Sequence, residues 1–394
     1  MRYLTADNDA HAHQERRAIP LARPDIGKKE REAVLEVLRT PNLSLGPKLE
    51  EFEEKIAEYA EVKYAVAVNS GTSALHLIIK ALGIGDHDEV ITTPFSFIAS
   101  ANCILFERAR PVFVDIDPKT LNIDPDKIEE RITDRTKAIL AVDVFGQPAD
   151  WDRLEELAQR HNLKLIEDSA EALGAEYLSK SGWKKAGSFG DAAIFAFYPN
   201  KQITTGEGGV ILTDNEELAK LCRSLRNQGR GEGDGWLRHE RLGYNYRLSD
   251  INCALGLAQL SRIDEILEKR EQVAQLYNDR LKEIEGVEIP YISPEVKMSW
   301  FVYVIQLNTK YTREDRDRIL RELKARGIGC SDYFQPIHLQ PFYRELGYRE
   351  GDFPITEAVS ARTIALPFYN DLTEQEIDYV VENLADILGS MVRR

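Results

Sequence analysis

The sequence has few cysteines, and their spacing forms no recognisable metal-binding or redox motif. Four cysteines occur in 394 residues, and no two of them form a CxxC pair: Cys103, Cys222, Cys253 and Cys330. Such sparse thiols fit a protein of a reducing cytoplasm better than a disulfide scaffold or a zinc site. We therefore expect free thiols, no metal ion and a cytoplasmic location.

Positive charge and long apolar runs are scarce as well. The chain has 51 lysine and arginine residues against 66 aspartate and glutamate residues, a net charge of −15. This balance argues against nucleic acid or an anionic membrane as a partner. No apolar run reaches the roughly 18 residues that a membrane-spanning helix needs. Because the start of the chain lacks the apolar core of a signal peptide, we expect residues 1–18 to form a polar tail.

Length and patterning indicate an α/β enzyme of two domains. The chain exceeds one typical domain, and its composition of 43% hydrophobic and 30% charged residues is that of a globular protein. Short β-branched runs alternate with helical periodicity, which predicts a mostly parallel sheet covered by helices on both faces. The predicted strands are 64–68, 89–93, 111–115, 137–142, 163–167, 192–197 and 209–213. The predicted helices between them are Thr72–Leu82, Ile98–Glu107, Pro125–Ile132 and Trp151–Arg160.

Asn227–Arg247 is predicted to be a long loop, with glycine at every second position from 229 to 235. Loops of this length are uncommon unless they carry a function or an interface. Several arginines lie in or beside it: Arg223, Arg226, Arg230, Arg238, Arg241 and Arg247. A local arginine cluster suits phosphate recognition. Pairing in solvent with the acidic residues of the same segment, Glu232, Asp234 and Glu240, explains the cluster equally well.

The last third of the chain is predicted to form a second domain. Ser249 would cap a helix from Asp250 to about Leu281 that bridges to this domain. Beyond the bridge we predict a strand at Trp300–Leu307 and helices at Arg313–Arg326 and Glu374–Leu388. The division is therefore a large domain at 19–255 and a smaller one at 256–394.

Lys201 has the most informative surroundings in the chain. It follows the apolar run 194–197 and a turn, and it precedes the glycine-rich run 204–209. Burial disfavours the ammonium form, so an amine at the end of a buried strand can act as a nucleophile and form a Schiff base. Most lysines are surface charges, so this interpretation depends on whether the chain supplies the other groups that pyridoxal phosphate needs.

Three further segments supply candidates for those groups. Asp168 ends an apolar strand, where it could hold the cofactor's ring nitrogen protonated or simply cap a helix. Gly71, Thr72 and Ser73 follow a strand and open a helix, which suits either a phosphate-binding turn or an ordinary helix cap. Phe97 could lie on the face of the cofactor ring or belong to the core. All these candidates fall near the carboxyl ends of predicted strands, where ligands bind in open α/β sheets.

With these motifs the chain resembles the pyridoxal-phosphate-dependent nucleotide-sugar aminotransferases of the DegT/StrS group, from about Ile19 to Leu388. The resemblance rests on Ser70-Gly71-Thr72, on Glu167-Asp168-Ser169-Ala170-Glu171-Ala172, on Lys201 with Thr204-Thr205-Gly206-Glu207-Gly208-Gly209, on Gly243-Tyr244-Asn245-Tyr246-Arg247, and on the run from Tyr333 to Tyr343. It implies a fold-type-I aminotransferase with a large cofactor-binding domain and a smaller α+β C-terminal domain. It also implies a homodimer whose active sites lie at the subunit interface.

The resemblance assigns roles to the candidates in the cofactor domain. Lys201 would hold the cofactor as a Schiff base, and Asp168 would pair with its ring nitrogen. Phe97 would stack on the ring, and Gly71 and Thr72 would form the phosphate-binding turn, with Ser73 beside them.

Further roles follow for residues outside these motifs. Glu171 would lie near the cofactor's hydroxyl group, and Asn245 would reach the cofactor phosphate of the neighbouring subunit. His338, Arg230 and Arg247 are candidate substrate-binding residues. One departure is Ala196, where many relatives carry a serine whose hydroxyl binds the phosphate. The loss of one such hydrogen bond costs roughly 0.5–1.5 kcal/mol, which the remaining groups can tolerate.

The resemblance implies transamination of a nucleotide-linked keto sugar with L-glutamate as the amino donor. Glu171 and the run 204–209 favour relatives that aminate 4-keto-6-deoxy sugars, such as perosamine synthases. Two alternatives are a sugar dehydratase of the same fold and a non-catalytic regulatory protein. The dehydratases replace the Schiff-base lysine with histidine, and a non-catalytic protein should lack the pair of Lys201 and Asp168.

Overall fold

The computed structural model describes residues 18–231 and 238–392. In chain order its strands are β1 (Tyr64–Val68), β2 (Glu89–Thr92), β3 (Arg110–Phe113), β4 (Thr136–Val142), β5 (Lys164–Asp168), β6 (Glu176–Ser179), β7 (Gly182–Lys185), β8 (Ala192–Ala196), β9 (Gly209–Thr213), β10 (Val287–Glu288), β11 (Val296–Lys297), β12 (Tyr303–Leu307) and β13 (Thr363–Leu366). Its helices are α1 (Lys28–Leu38), α2 (Pro47–Ala60), α3 (Gly71–Ala81), α4 (Ala99–Phe106), α5 (Trp151–His161), α6 (Glu216–Arg226), α7 (Asp250–Leu260), α8 (Ile263–Leu281), α9 (Arg313–Ala325), α10 (Pro341–Arg344), α11 (Pro354–Ser360) and α12 (Glu374–Val392).

A seven-stranded sheet in the order β1-β9-β8-β5-β4-β2-β3 forms the centre of the molecule. Strand β9 runs antiparallel to both of its neighbours, and every other adjacent pair is parallel. The predicted α/β class with a mostly parallel sheet is therefore confirmed. The carboxyl ends of β1, β5 and β8 lie at one edge of the sheet, which is also where β9 begins, because Gly209 pairs with both Val68 and Ala196.

Both faces of this sheet are buried under helices. Along β9, Ile211 packs into a cluster with α3, α4 and α6, whereas Val210 and Leu212 pack into a second cluster with α2 and α7. Side chains alternate between the faces of a strand, so a strand covered on both sides reads as a continuous apolar run. This is why the central strands were visible in the sequence.

The predicted helices were correct in place but not always in form. The segment predicted at Pro125–Ile132 contains two single 3₁₀ turns, Pro125–Lys127 and Glu129–Arg131, rather than an α-helix. The helix predicted from Asp250 to Leu281 is two helices, α7 and α8, because the chain leaves helical geometry at Arg262. The guanidinium of Arg262 there donates to Glu30 Oε1 at 2.8 Å, which ties the break to the first turn of α1.

The C-terminal part has its own small sheet, in the order β10-β12-β13, packed with α8, α9 and α12. Ile19 belongs to this part as well, since its amide donates to Gly327 O at 2.9 Å and its side chain is buried in the same cluster. A third sheet, β11-β6-β7, contains the hairpin Glu176–Lys185, for which no strands were predicted. The division at residues 255 and 256 remains a prediction.

The four cysteines are free and buried. Among residues 18–231 and 238–392, no helix has the length and apolarity needed to cross a membrane. Within the same described ranges, no group of three or more histidine, cysteine, aspartate or glutamate side chains could hold a metal ion. The predicted tail at 1–18 lies, except for Ala18, outside the described residues.

Candidate active site

A cavity of about 480 Å³ opens at the edge of the sheet where β1, β5 and β8 end. It brings together six of the residues singled out in the sequence: Gly71, Thr72, Phe97, Asp168, Glu171 and Lys201. The described lining also includes aromatic and small side chains, among them Ser96, Ser100, Ala196, Tyr198, Phe301, Tyr333 and Phe334. These groups are far apart in sequence, so the topology of the sheet is what assembles them.

Lys201 lies in the turn that follows β8, where its amide donates to Tyr198 O at 2.9 Å. Its side chain is 12% exposed. The Nζ atom lies 3.7 Å from Glu171 Oε1 and 3.8 Å from the centre of the Phe301 ring. Burial lowers the pKa of Lys201 below its ordinary value, although Glu171 and Asp168 oppose this shift. The amine is therefore closer to its neutral, nucleophilic form than a surface lysine would be.

Asp168 is the last residue of β5 and is almost fully buried. Its Oδ2 atom accepts a hydrogen bond from Ser100 Oγ at 2.7 Å, and its Oδ1 atom accepts one from the amide of Ala170 at 3.2 Å. Burial raises the pKa of Asp168, and these hydrogen bonds together with Lys201 oppose the rise. The strand end thus presents a carboxylate whose orientation is fixed.

Glu171 follows three residues later and is also buried. Its Oε2 atom accepts a hydrogen bond from the amide of Phe145 at 2.9 Å, which leaves Oε1 directed at Lys201. Its carbonyl oxygen accepts a hydrogen bond from Gln202 Nε2 at 2.6 Å. Burial raises the pKa of Glu171, and the neighbouring Lys201 opposes this shift. Backbone and side chain are both held, so the position of Glu171 relative to the amine is well defined.

The N-terminus of α3 faces the cavity through Ser70, Gly71 and Thr72. Ser70 caps this helix by accepting a hydrogen bond from the amide of Ser73 at 3.0 Å. The Ser73 hydroxyl lies 2.9 Å from Ser70 Oγ and is absent from the described cavity lining, whereas Thr72 belongs to it. A Cβ atom at Gly71 would lie 2.8 Å from the Ala196 Cβ, so these two small residues allow β8 and the turn to approach each other. Helix N-termini of this kind bind phosphate groups.

The remaining predicted residues lie elsewhere in the chain's own fold. Asn245 is exposed and pairs with Asn227 across the base of the predicted loop. Arg247 donates to Asn227 Oδ1 and to Gln228 Oε1, both at 3.0 Å. Arg230 lines a separate cavity of about 740 Å³. The ligand-binding roles of these residues remain predictions.

His338 is buried away from the cavity. Its Nε2 atom lies 2.9 Å from Glu357 Oε1, and its ring packs edge-on against Phe353. Burial lowers the pKa of His338. The substrate role of this histidine likewise remains a prediction.

The alternative explanation of the arginine cluster is partly visible. Arg238 and Arg241 lie 3.8 Å and 3.4 Å from Glu240, so solvent-side pairing accounts for two of the six arginines. Glu232 and Asp234, the other two acids named for that role, lie outside the described residues.

Sequence reasoning missed much of the cavity wall. Tyr198 and Asn200 stand three and one residues before Lys201, so proximity to the lysine could have indicated them. Tyr333 and Phe334 lay within a recognised motif but were given no role. Phe301 had no signal of its own, because it fell inside the strand predicted at Trp300–Leu307, where an aromatic residue is usually part of the core. The observed strand β12 begins only at Tyr303.

A family model of the DegT/DnrJ/EryC1/StrS aminotransferase family matches residues 24–385. The chain belongs to this family. GDP-perosamine synthase of Caulobacter vibrioides is 42% identical over 372 residues, which cover 94% of this chain and 98% of the synthase.

Solved structures of aminotransferases superpose on this chain over nearly its whole length. PseC of Helicobacter pylori, an aminotransferase involved in pseudoaminic acid biosynthesis, matches with a TM-score of 0.89 and 32% identity, over 95% of this chain and 100% of PseC. Spr1654 of Streptococcus pneumoniae in its PLP form has a TM-score of 0.89 and 29% identity, over 95% of this chain and 99% of Spr1654. The protein is a pyridoxal-phosphate-dependent sugar aminotransferase.

The chemistry of the cavity fits this cofactor. Lys201 would supply the amine for its aldehyde, Asp168 would supply a carboxylate for its ring nitrogen, and the start of α3 would bind its phosphate. The exposed ring of Phe97, 61% accessible, is available as a stacking face. When bound, pyridoxal phosphate supplies an imine-forming aldehyde and a ring that withdraws electrons from the substrate.

Proposed function

We propose that this aminotransferase moves the amino group of L-glutamate to a nucleotide-linked keto sugar, specifically a 4-keto-6-deoxy sugar. The observation that carries the chemistry is the buried amine of Lys201, which shares one cavity with Asp168 and the N-terminus of α3. The choice of sugar is supported by the 42% identity to a GDP-perosamine synthase and by the Thr204–Gly209 motif.

The described residues indicate how the proton transfers would be arranged. The Lys201 amine, once released from the cofactor, is the group placed to take a proton from the substrate's α-carbon and to return it elsewhere. Burial lowers the pKa of Lys201, which favours the neutral amine that can accept a proton. Phe301, Tyr333 and Phe334 line the same space and reduce access of water to the amine.

The charge of the cavity supports a homodimer in which the partner completes the site. Its described lining carries three acids, Asp168, Glu171 and Glu207, against one cation, Lys201. A carboxylate donor and a nucleoside diphosphate both need positive charge, and Arg230 and Arg247 lie outside this lining. We propose that the segment bearing these arginines and Asn245 reaches the cavity of the other subunit.

The exposure of large apolar side chains supports the proposed dimer. Phe97 and Tyr198 at the cavity are 61% and 51% exposed, and Leu242 in the arginine-bearing segment is 82% exposed. Large apolar side chains left this accessible are common at protein–protein interfaces. The proposed subunit contact would cover Tyr198 and Leu242, and the cofactor would cover the stacking face of Phe97.

The test uses nitrogen-15-labelled glutamate with a panel of nucleotide-linked 3-keto and 4-keto sugars, read by mass spectrometry. We expect the label in the sugar for a 4-keto-6-deoxy substrate, and no transfer with Lys201→Ala. Loss of water from the sugar without uptake of the label would instead identify a dehydratase. Absence of both reactions across the panel would contradict the proposed substrate class.

A further inference from the structure

Two serines four residues apart in sequence form a chain of hydrogen bonds that ends at the carboxylate of Asp168. Ser96 and Ser100 stand on either side of Phe97, at the entry to α4, and both line the cavity. They are 5% and 1% exposed. The Ser100 Oγ atom lies 2.7 Å from Asp168 Oδ2 and 3.0 Å from Ser96 Oγ.

Counting protons gives this chain of hydrogen bonds a direction. A serine hydroxyl has one proton to donate, whereas an ionised carboxylate can only accept. Ser100 must therefore donate to Asp168 when that group is charged, and Ser96 must then donate to Ser100. The Phe97 carbonyl oxygen also lies 3.3 Å from Ser100 Oγ, but the contact to the carboxylate is shorter and charge-assisted.

We propose that Ser100, oriented by Ser96, is a positioning residue that keeps Asp168 ionised and directed toward the ring nitrogen of the cofactor. This role of Ser100 concerns the cofactor, so it does not depend on which sugar or amino donor the enzyme uses. Phe97 lies between the two serines, so one short turn would fix both the stacking face and the donor to the acid.

The energetic need for such a donor follows from burial. Asp168 is buried deeply enough that its pKa is raised, and a neutral carboxyl group could not stabilise a protonated ring nitrogen. A hydrogen bond to the charged form opposes that tendency. On its other oxygen Asp168 accepts the 3.2 Å contact from the Ala170 amide, which is longer than the Ser100 bond.

The experiment reconstitutes the enzyme with pyridoxal phosphate labelled with nitrogen-15 in the ring and records the nitrogen chemical shift across neutral pH. We expect the shift of a protonated nitrogen in the wild type and a move toward the unprotonated value in Ser100→Ala. Equilibrium dialysis of cofactor should show roughly tenfold weaker binding in that variant, since hydrogen bonds to charged groups have this strength. Ser96→Ala should move both quantities in the same direction by less, because Ser100 can still donate.

The matched control is the same substitution in an Asp168→Asn background, where no charged carboxylate remains to be positioned. There, Ser100→Ala should leave the nitrogen shift unchanged. It should change the dissociation constant by no more than about twofold. Ser100→Thr, which retains the hydroxyl, should restore the wild-type shift. An unchanged shift in Ser100→Ala would overturn the proposal, as would an equal loss of affinity in both backgrounds. Should Ser100→Ala fail to fold, an unchanged shift in Ser96→Ala would overturn it.

Discussion

The Lys201 amine lies within 4 Å of both a carboxylate and an aromatic ring, and its chemistry depends on this enclosure. Lys201→Ala removes the group that, in the proposed function, attaches the cofactor and exchanges protons with the substrate. We expect turnover to fall by at least about 10²–10⁴-fold, the usual contribution of a positioned acid–base group. Stopped-flow assays of amino transfer check this. Lys137→Ala, which removes an exposed lysine, is the control and should keep wild-type rates.

Glu171 raises the pKa of the Lys201 amine that faces it, so Glu171→Gln should lower that pKa. The rate at which cofactor-free enzyme reacts with pyridoxal phosphate reports the neutral amine. That rate should rise with pH around a midpoint set by Lys201, and in Glu171→Gln the midpoint should lie at lower pH. Glu207→Gln removes another carboxylate at the cavity that does not shift Lys201, and it should leave the midpoint in place. Equal midpoints in all three proteins would refute the coupling.

Single residues of the site differed greatly in how visible they were in the sequence. Asp168 could be predicted because it ends an apolar strand, and Lys201 because it follows one after a short turn; charged groups are unusual at such places. Ser100 looked like an ordinary helix residue, and its partner Asp168 is 68 positions away. Phe301 approaches Lys201 only through the fold. Contacts of this kind are set by topology, which local patterning does not encode.

Among the elements, the antiparallel strand β9 packs closely against the turn at Ser70 and Gly71, which is the proposed phosphate site. A Cβ atom at Gly209 would lie 2.5 Å from the carbonyl oxygen of Ser70 and 2.6 Å from the amide of Gly71. Gly209→Ala should therefore displace the start of α3 and weaken cofactor binding by roughly tenfold or more, since such overpacking typically costs 1–3 kcal/mol. Gly85→Ala places its Cβ in ordinary contact, at 3.7 Å, and should bind the cofactor as the wild type does. Titration of apoenzyme with pyridoxal phosphate distinguishes these outcomes.

Strands β4 and β5 meet in a buried pair of acids beneath the site. The Ser169 hydroxyl contacts Asp143 Oδ2 and lies 2.6 Å from Glu167 Oε1. Burial raises the pKa of both acids. The folded state therefore retains protons that the unfolded chain releases first as pH rises, so this pair lowers stability as pH rises above the ordinary carboxyl range.

Asp143→Asn should flatten that dependence, because the amide cannot ionise. We expect the wild type to lose on the order of 1–3 kcal/mol of unfolding free energy between about pH 4 and pH 7 through this pair, and the variant to lose less. Urea unfolding at a series of pH values measures the difference. Glu155→Gln, on the exposed face of α5, is the matched control, and its curve should follow that of the wild type.

The elements that sequence reasoning missed lacked a strong periodic signal. The hairpin of β6 and β7 is mostly polar and only partly buried, although its Ser181-Gly182 turn could have indicated it. The break between α7 and α8 has neither glycine nor proline. It depends instead on ion pairs of Arg262 with Glu30 and Asp25, more than 200 residues earlier. Seven central strands were predictable within two residues because apolar burial on both faces marks each of them.

At the scale of the whole molecule, the proposed dimer predicts both a mass and a pattern of complementation. Sedimentation should give about twice the 44.8 kDa mass of one chain. Lys201→Ala and Asn245→Asp should each be impaired alone, the second because a negative charge would face the partner's cofactor phosphate.

Mixing and refolding the two variants should restore up to about a quarter of wild-type activity, since half of the dimers would each contain one intact site. Activity that stays at the level of the separate variants would contradict a site shared between subunits. A mixture of Lys201→Ala with itself, refolded in parallel, controls for recovery during refolding.

A chain cut before residue 300 would keep Lys201, Asp168 and the turn at Gly71, yet it would lose the aromatic wall that shields the amine. That wall is anchored by Arg270, whose guanidinium donates to the carbonyl oxygens of Trp300 at 2.6 Å and Phe301 at 2.7 Å. The Lys201 amine is thus shielded from water by residues about a hundred positions downstream in the sequence. Two separately expressed fragments, divided near residue 300, should each lack aminotransferase activity. Activity should return only when the two fragments are mixed and associate.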